Sequence, residues 1–219
     1  RDYKVTGVQT CALPILQPMK YPVLYEDRHL VVLHKPAGIP VIPAREGGPA
    51  LSTETGLLVC HRLDTETSGC LVMARTAAGH RMINDAFARG LVRKTYLAVA
   101  MGTLEERGEL ALPIGTWRRG RVSVGEGKDA RTRWEVRWRE GALMGVEVQP
   151  LTGRTHQIRA HLSYAGAALV GDPTYGGPQA ERMMLHAWRL ELPWPRPVDR
   201  LCLEAEPPPG FSTPRSEEH

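Results

Sequence analysis

Between residues 56 and 74 the chain reads GLLVC, then HRLDTETSG, then CLVMA: two short apolar runs with a polar loop between them. Apolar runs of this length, bounded by glycine and charge, read as buried strands. A loop pinned between two buried strands has little freedom, so its side chains are placed rather than merely solvated. It carries one carboxylate, Asp64, two residues after Arg62 and just ahead of Thr65, Thr67, Ser68 and Gly69. Short hydroxyl residues and glycine build a tight turn that presents such a group to a cleft. An isolated Arg-x-Asp pattern is more often an ion pair holding a loop, and the hydroxyl-rich surroundings tip the balance. Glu66, next but one, reads as solvated surface.

The rest of the chain supplies a scaffold. Leu30–His34, Leu57–His61 and Leu71–Ala74 read as buried strands, and Tyr96–Met101, Arg131–Arg139 and Leu143–Gln149 as further strands. The Glu140-Gly141 turn joins the last two. Thr76–Arg89 carries Met82, Ile83, Ala86 and Phe87 at helical spacing and stops at Gly90. Thr155 is expected to cap a helix to Tyr164, with Ile158 and Leu162 toward the core. Strands with a few inserted helices predict an α+β fold with a mainly antiparallel, mixed sheet and flanking helices. At 219 residues and 42% hydrophobic, one core accounts for residues 19–206 as a single domain. Residues 1–15 and 215–219 have no structural period and resemble translated adaptor sequence. Residues 1–18 are therefore expected to be artefactual or disordered, and 207–219 a Pro-rich, artefactual tail, so an upstream domain is open to having been lost.

Composition narrows the class. A net charge of +4 and a pI near 9.0 point weakly to a polyanionic partner. Cys11, Cys60, Cys70 and Cys202 form no C-x-x-C pair, which suits reduced structural thiols in a cytosol. No apolar run approaches the roughly 18 residues a spanning helix needs. A soluble cytoplasmic protein is expected.

Four segments carry chemistry. Lys35-Pro36-Ala37-Gly38 follows a strand, and its turn is expected to leave Lys35 near a surface. HRLDTETSG is the second. Arg93-Lys94-Thr95-Tyr96 opens a strand, where Tyr96 suits core packing but also offers a ring to a nucleobase. In Gly153–His161 (GRTHQIRAH), the helix amides and Arg154 are expected to form a phosphate site, and His156 and Arg159 share one face. His156 and His161 lack a third partner at sensible spacing for zinc.

Taken in order from about Leu24 to Leu192, KPAG, HRLDTETSG, RKTYLA, GRTHQIRAH and GDPTYGG resemble the RluA family of pseudouridine synthases. The resemblance implies the pseudouridine synthase catalytic fold with a central RNA-binding cleft, and an enzyme that isomerises uridines in structured RNA without cofactor or metal. It implies that Asp64 is the catalytic aspartate, that Tyr96 packs against the target base, and that Arg159 pairs with the aspartate. One departure is that the spacer from Gly38 to His61 looks short and Leu51–Gly56 lacks the longer helix expected of the family.

The residue chemistry agrees. Isomerising uridine breaks a ribose–uracil N–C bond and rejoins the base through carbon 5, which calls for a group that acts as nucleophile or base. An arginine within a few ångströms favours a carboxylate's charged form. A uridine inside a stem must be flipped out, and Arg62 is placed to fill the gap. From Gly115 to Arg139, eight Arg or Lys stand against three acids, an excess of +5, with Trp117, Trp134 and Trp138 among them. RNA contacts are accordingly expected from Lys35, Arg62, Arg154, His156, Gln157, Arg118 and Arg119. The partner is structured ribosomal or transfer RNA, met by a monomer. Two rivals stay open: a non-catalytic RNA-binding or RNA-folding protein that retains the fold, and a hydrolase releasing free uracil.

Overall fold

The computed structural model describes residues 20–196 and 198–211. The foreign look of residues 1–15 and 215–219 falls outside them. Among the described residues, eleven strands form one sheet: β1 (Val23–Glu26), β2 (Leu30–Lys35), β3 (Leu58–Val59), β4 (Ser68–Ala74), β5 (Arg93–Gly102), β6 (Arg107–Leu110), β7 (Thr132–Glu140), β8 (Leu143–Pro150), β9 (Ala167–Leu169), β10 (Leu185–Leu192) and β11 (Leu201–Glu204). Three α-helices accompany it, α1 (Leu51–Thr55), α2 (Ala77–Ala88) and α3 (Gln157–Tyr164), with one 3₁₀ turn at Pro173–Tyr175. The main order is β1-β2-β4-β10-β5-β8-β7-β6, with β3 on β4, β9 on β5 and β11 on β10. All pairings are antiparallel except β4 with β10. The expected mixed, mainly antiparallel α+β fold is thus what forms.

Alternation along the strands explains why the apolar runs are continuous. In β2, Val31 and Leu33 join one core while Leu30 and Val32 join another, and in β4 Leu71 and Met73 separate from Cys70 and Val72 in the same way. Side chains of a strand point to opposite faces in turn, so a strand covered on both sides must be apolar at every position. One core lies under α3, through Ile158 and Leu162. The other lies under α2, through Ile83, and beside Leu190, Leu192 and Trp194.

The differences from the sequence reading are local. The Leu57–His61 run contributes only the two-residue β3, because His61 leaves the ladder to accept a hydrogen bond from the Val72 N–H at 3.0 Å. The segment expected to lack the family's longer helix holds only the five-residue α1, closed by Gly56. Thr155 does not cap α3. His156 precedes the helix instead, at a left-handed φ of 52°, and Gln157 Oε1 takes up the Arg154 N–H at 3.0 Å. The boundary expected at residue 206 lies inside packed chain, since Phe211 is 5% exposed and rests on His186 at 5.7 Å. Its Pro-rich lead-in reads as a tail, and a lone aromatic anchors it.

Candidate active site

The loop bearing Asp64 is fastened at both ends. The Asp64 carbonyl accepts the Thr67 N–H at 3.0 Å, closing a turn over residues 64–67. The Thr65 carbonyl accepts the Gly38 N–H and Lys35 Nζ, both at 2.9 Å. The turn therefore docks on the Lys35–Gly38 corner. Gly69 ends the loop at φ 115°, where a Cβ would lie 2.2 Å from the Ala187 carbonyl of β10. No side chain fits there, which accounts for glycine at the point where β4 meets its parallel neighbour.

Arg159 is the hub of the site. Its Nε and Nη2 donate to Asp172 Oδ2 and Oδ1 at 2.6 and 2.8 Å, a bidentate pair. Its Nη1 donates to Asp64 Oδ2 at 3.2 Å and to His156 Nε2 at 2.8 Å, so four of its five N–H donors are used. Its guanidinium also lies 5.2 Å from the Tyr175 ring centroid. Asp172 is 1% exposed, whereas the Asp64 side chain keeps 27% of its surface open. One carboxylate is structural and the other is available to a ligand.

These bonds fix the His156 tautomer. With Nε2 accepting from Arg159, Nδ1 carries the hydrogen and donates to Tyr175 Oη at 3.1 Å, which also accepts the Val122 N–H at 2.9 Å. Burial, joined by the Arg159 charge, pushes the His156 pKa down against the pull of Asp64. The 3.8 Å approach of His156 Nε2 to Asp64 is therefore contact with a neutral ring. Tyr96, paired with Val148 across β5 and β8, lies almost wholly in the core beneath α3. Burial first, then the Asp64 charge, raises its pKa. Among the described residues its hydroxyl makes no hydrogen bond. A pocket of about 290 Å³ elsewhere, lined by Leu97, Trp138 and Phe211, touches none of this cluster.

An acid in a fastened turn, bonded to an arginine from a distant helix, is the constellation the motifs implied. The family model for RNA pseudouridylate synthase matches residues 29–164, spanning both Asp64 and Arg159. The chain belongs to the RluA family of RNA pseudouridine synthases. It is 38% identical over 191 residues to an RNA pseudouridine synthase of Zymomonas mobilis, covering 78% of this chain and 86% of that one. It is 34% identical to the dual-specificity synthase RluA of Vibrio cholerae, covering 80% of this chain and 78% of that one. Against the ribosomal large subunit synthase D of Xanthomonas campestris the identity is 38%, over 79% of this chain but only 56% of the relative. Among solved structures, human RNA pseudouridylate synthase domain containing 4 superposes with a TM-score of 0.72 at 26% identity, covering 87% of this chain and 90% of that one.

The other residues of this synthase expected to meet RNA divide sharply. Arg62 is exposed beside Asp64, and among the described residues it has no ion pair. Arg118 and Arg119 are exposed as well. Lys35 is not near a surface: it is 0% exposed, bonded to the Pro36 and Thr65 carbonyls, and burial lowers its pKa to about 8 despite Glu66 and Asp64. Gln157 is likewise buried, donating to the Arg131 carbonyl and Thr132 Oγ1. The Thr155 cap that was to frame a phosphate site at Arg154 is absent: the Arg154 N–H is bonded to Gln157 and its Nε to the Asp129 carbonyl, while the side chain itself stays exposed. The basic excess of residues 115–139 also shrinks. Arg131 and Arg133 pair with Glu109, Arg137 with Glu147 and Arg139 with Glu106. Trp134 and Trp138 pack on Gly108 and Gly145. Asp172 and Tyr175 were missed, although both lie in GDPTYGG, a motif that gave the family but no role for its acid.

Proposed function

We propose that this synthase flips a uridine from structured ribosomal or transfer RNA and isomerises it at Asp64, working as a monomer in the cytoplasm. The observation that carries the reading is the Asp64–Arg159 pair: an acid with an open face, held at 3.2 Å from a guanidinium that Asp172 fixes from behind. The reaction breaks the bond from ribose C1′ to uracil N1 and forms one from C1′ to C5. The C5 hydrogen is lost and N1 gains one, so product and substrate have equal mass and no electron carrier is required. Asp64 serves as nucleophile or base in that exchange. Tyr96 supports the base from the core side. Arg62 enters the space the base vacates. Of the described residues, no helix is long and apolar enough to cross a membrane.

The test is pseudouridine mapping by carbodiimide labelling in RNA from a strain lacking the gene. The chain should restore label at defined uridines, and Asp64→Asn should restore none while binding the same RNA. Restoration by Asp64→Asn would overturn the assignment. Release of free uracil would replace it with N-glycosidic hydrolysis, and RNA binding without label with a pure binder.

A further inference from the structure

Trp117, between β6 and β7, is 52% exposed, and its ring meets the His156 ring edge to face at 4.5 Å and 89°. Single exposed aromatics are ordinary on protein surfaces. This one is held in place beside the acid. Its loop is anchored by a small core in which Ile114, Val122 and Ala130 pack on Ala160 of α3 and on Tyr175. Tyr175 Oη receives Val122 N–H and His156 Nδ1, so the indole is tied to the same residues that hold Arg159. His156 bridges the two, standing 3.8 Å from Asp64 on one side and against the indole on the other.

The next four residues form a tight hairpin. Arg118 and Arg121 exchange backbone hydrogen bonds of 2.9 and 3.1 Å, with Arg119 at φ 49° and Gly120 at φ 83°. Positive φ at both central positions marks a primed turn. An arginine accepts a conformation that glycine or asparagine would adopt more readily, which suits a site where side-chain identity matters more than backbone ease. Arg118, Arg119 and Arg121 are exposed and make no ion pair among the described residues, unlike the strand arginines nearby. Of the four exposed basic residues in this region without an ion pair among the described residues, three therefore sit on this hairpin next to the half-exposed indole, Lys128 being the fourth.

We propose, resting on the reading of the chain as an RNA pseudouridine synthase, that Trp117 is a stacking platform for an unpaired nucleobase beside the target uridine, with Arg118 and Arg119 on the phosphates flanking it. Aromatic stacking tolerates every base because each has a π-face, but it requires that face to be free. A fully paired stem offers none. The platform thus selects loops and bulges rather than a base sequence.

The test titrates the full chain with a short oligouridylate and with a blunt RNA duplex of equal length, following labelled-RNA anisotropy and tryptophan fluorescence. Trp117→Ala should weaken oligouridylate binding about tenfold or more, tenfold being about 1.4 kcal/mol. It should also abolish most of the quenching, and leave duplex affinity and the thermal midpoint in place. Trp117→Phe should keep most of the single-strand affinity. Unchanged oligouridylate binding by Trp117→Ala, an equal loss on the duplex, or no oligouridylate binding by the parent chain would each overturn the platform. If the parent makes no pseudouridine yet its oligouridylate binding still depends on Trp117, the catalytic reading fails and the platform stands.

Discussion

The two carboxylates on Arg159 should give opposite phenotypes when neutralised. Asp172→Asn keeps the shape of the side chain but removes its charge and one of its two acceptors. Breaking a buried ion pair from one side costs about 3–5 kcal/mol, because the remaining charge stays buried without its partner. Here Arg159 is 8% exposed but keeps Asp64 at 3.2 Å as a charged partner and His156 Nε2 at 2.8 Å, so the lower end, about 3 kcal/mol, applies. For a chain of this size each kcal/mol moves the midpoint by about 2–4 °C, giving a fall of about 6–12 °C. Asp64→Asn removes a single bond from a partly open side chain and should move stability by no more than about 1 kcal/mol. Thermal unfolding of the two variants reads the first difference. Carbodiimide assays run well below both midpoints read the second: Asp64→Asn makes no product, while Asp172→Asn, with its guanidinium loosened, loses about 10²-fold. Equal destabilisation by the two substitutions, or a fall below about 3 °C for Asp172→Asn, would refute the division of labour.

Three further outcomes follow from the geometry. Burial, aided by the Lys94 charge, depresses the His61 pKa to about 3, and burial depresses His186 to about 4. The unfolded chain takes up these protons below about pH 6.5 and the folded chain does not, so their stabilisation is full above that pH and is lost as pH falls toward 3–4. Denaturant midpoints between pH 7.5 and 4.5 should drop, and less steeply in His61→Gln; an identical slope in that variant counts against it. Arg118→Glu with Arg119→Glu should lower RNA affinity and flatten its dependence on salt, as loss of phosphate contacts requires; an unaltered salt slope removes the hairpin from the interface. Tyr96→Phe should retain most activity if the ring acts by support, because the hydroxyl has no hydrogen bond among the described residues; a collapse in kcat with normal affinity assigns the hydroxyl a proton-transfer role instead.

What the sequence made legible was what local pattern controls. The apolar runs at Leu30–His34 and Leu71–Ala74 became β2 and β4 because both sheet faces are covered, and Thr76 with Gly90 bracketed α2 through a cap and a stop. Asp64 and Arg159 were found together because their motifs are distinctive. Lys35 was misjudged because a turn composition says nothing of what packs over it, and here the Asp64 turn does. Gln157 was misjudged because His156 bends the backbone into the left-handed region, which moved the helix start past Thr155 and turned the Gln157 side chain inward to the Arg154 N–H and Thr132. The arginines between residues 131 and 139 were over-counted as free charge because their glutamate partners are brought in from elsewhere: Glu109 and Glu147 lie on neighbouring strands and Glu106 just ahead of β6. Asp172 escaped notice since its partnership with Arg159 spans 13 residues across a turn and a short strand that only tertiary packing brings back.

With four of its donors already engaged, Arg159 has almost nothing left to rearrange when a substrate arrives. In the reading proposed above, adaptation to differently shaped RNAs falls to Arg62 and the Trp117–Arg121 hairpin. Drift in those residues can redirect the enzyme to a new transcript while the chemistry underneath stays untouched.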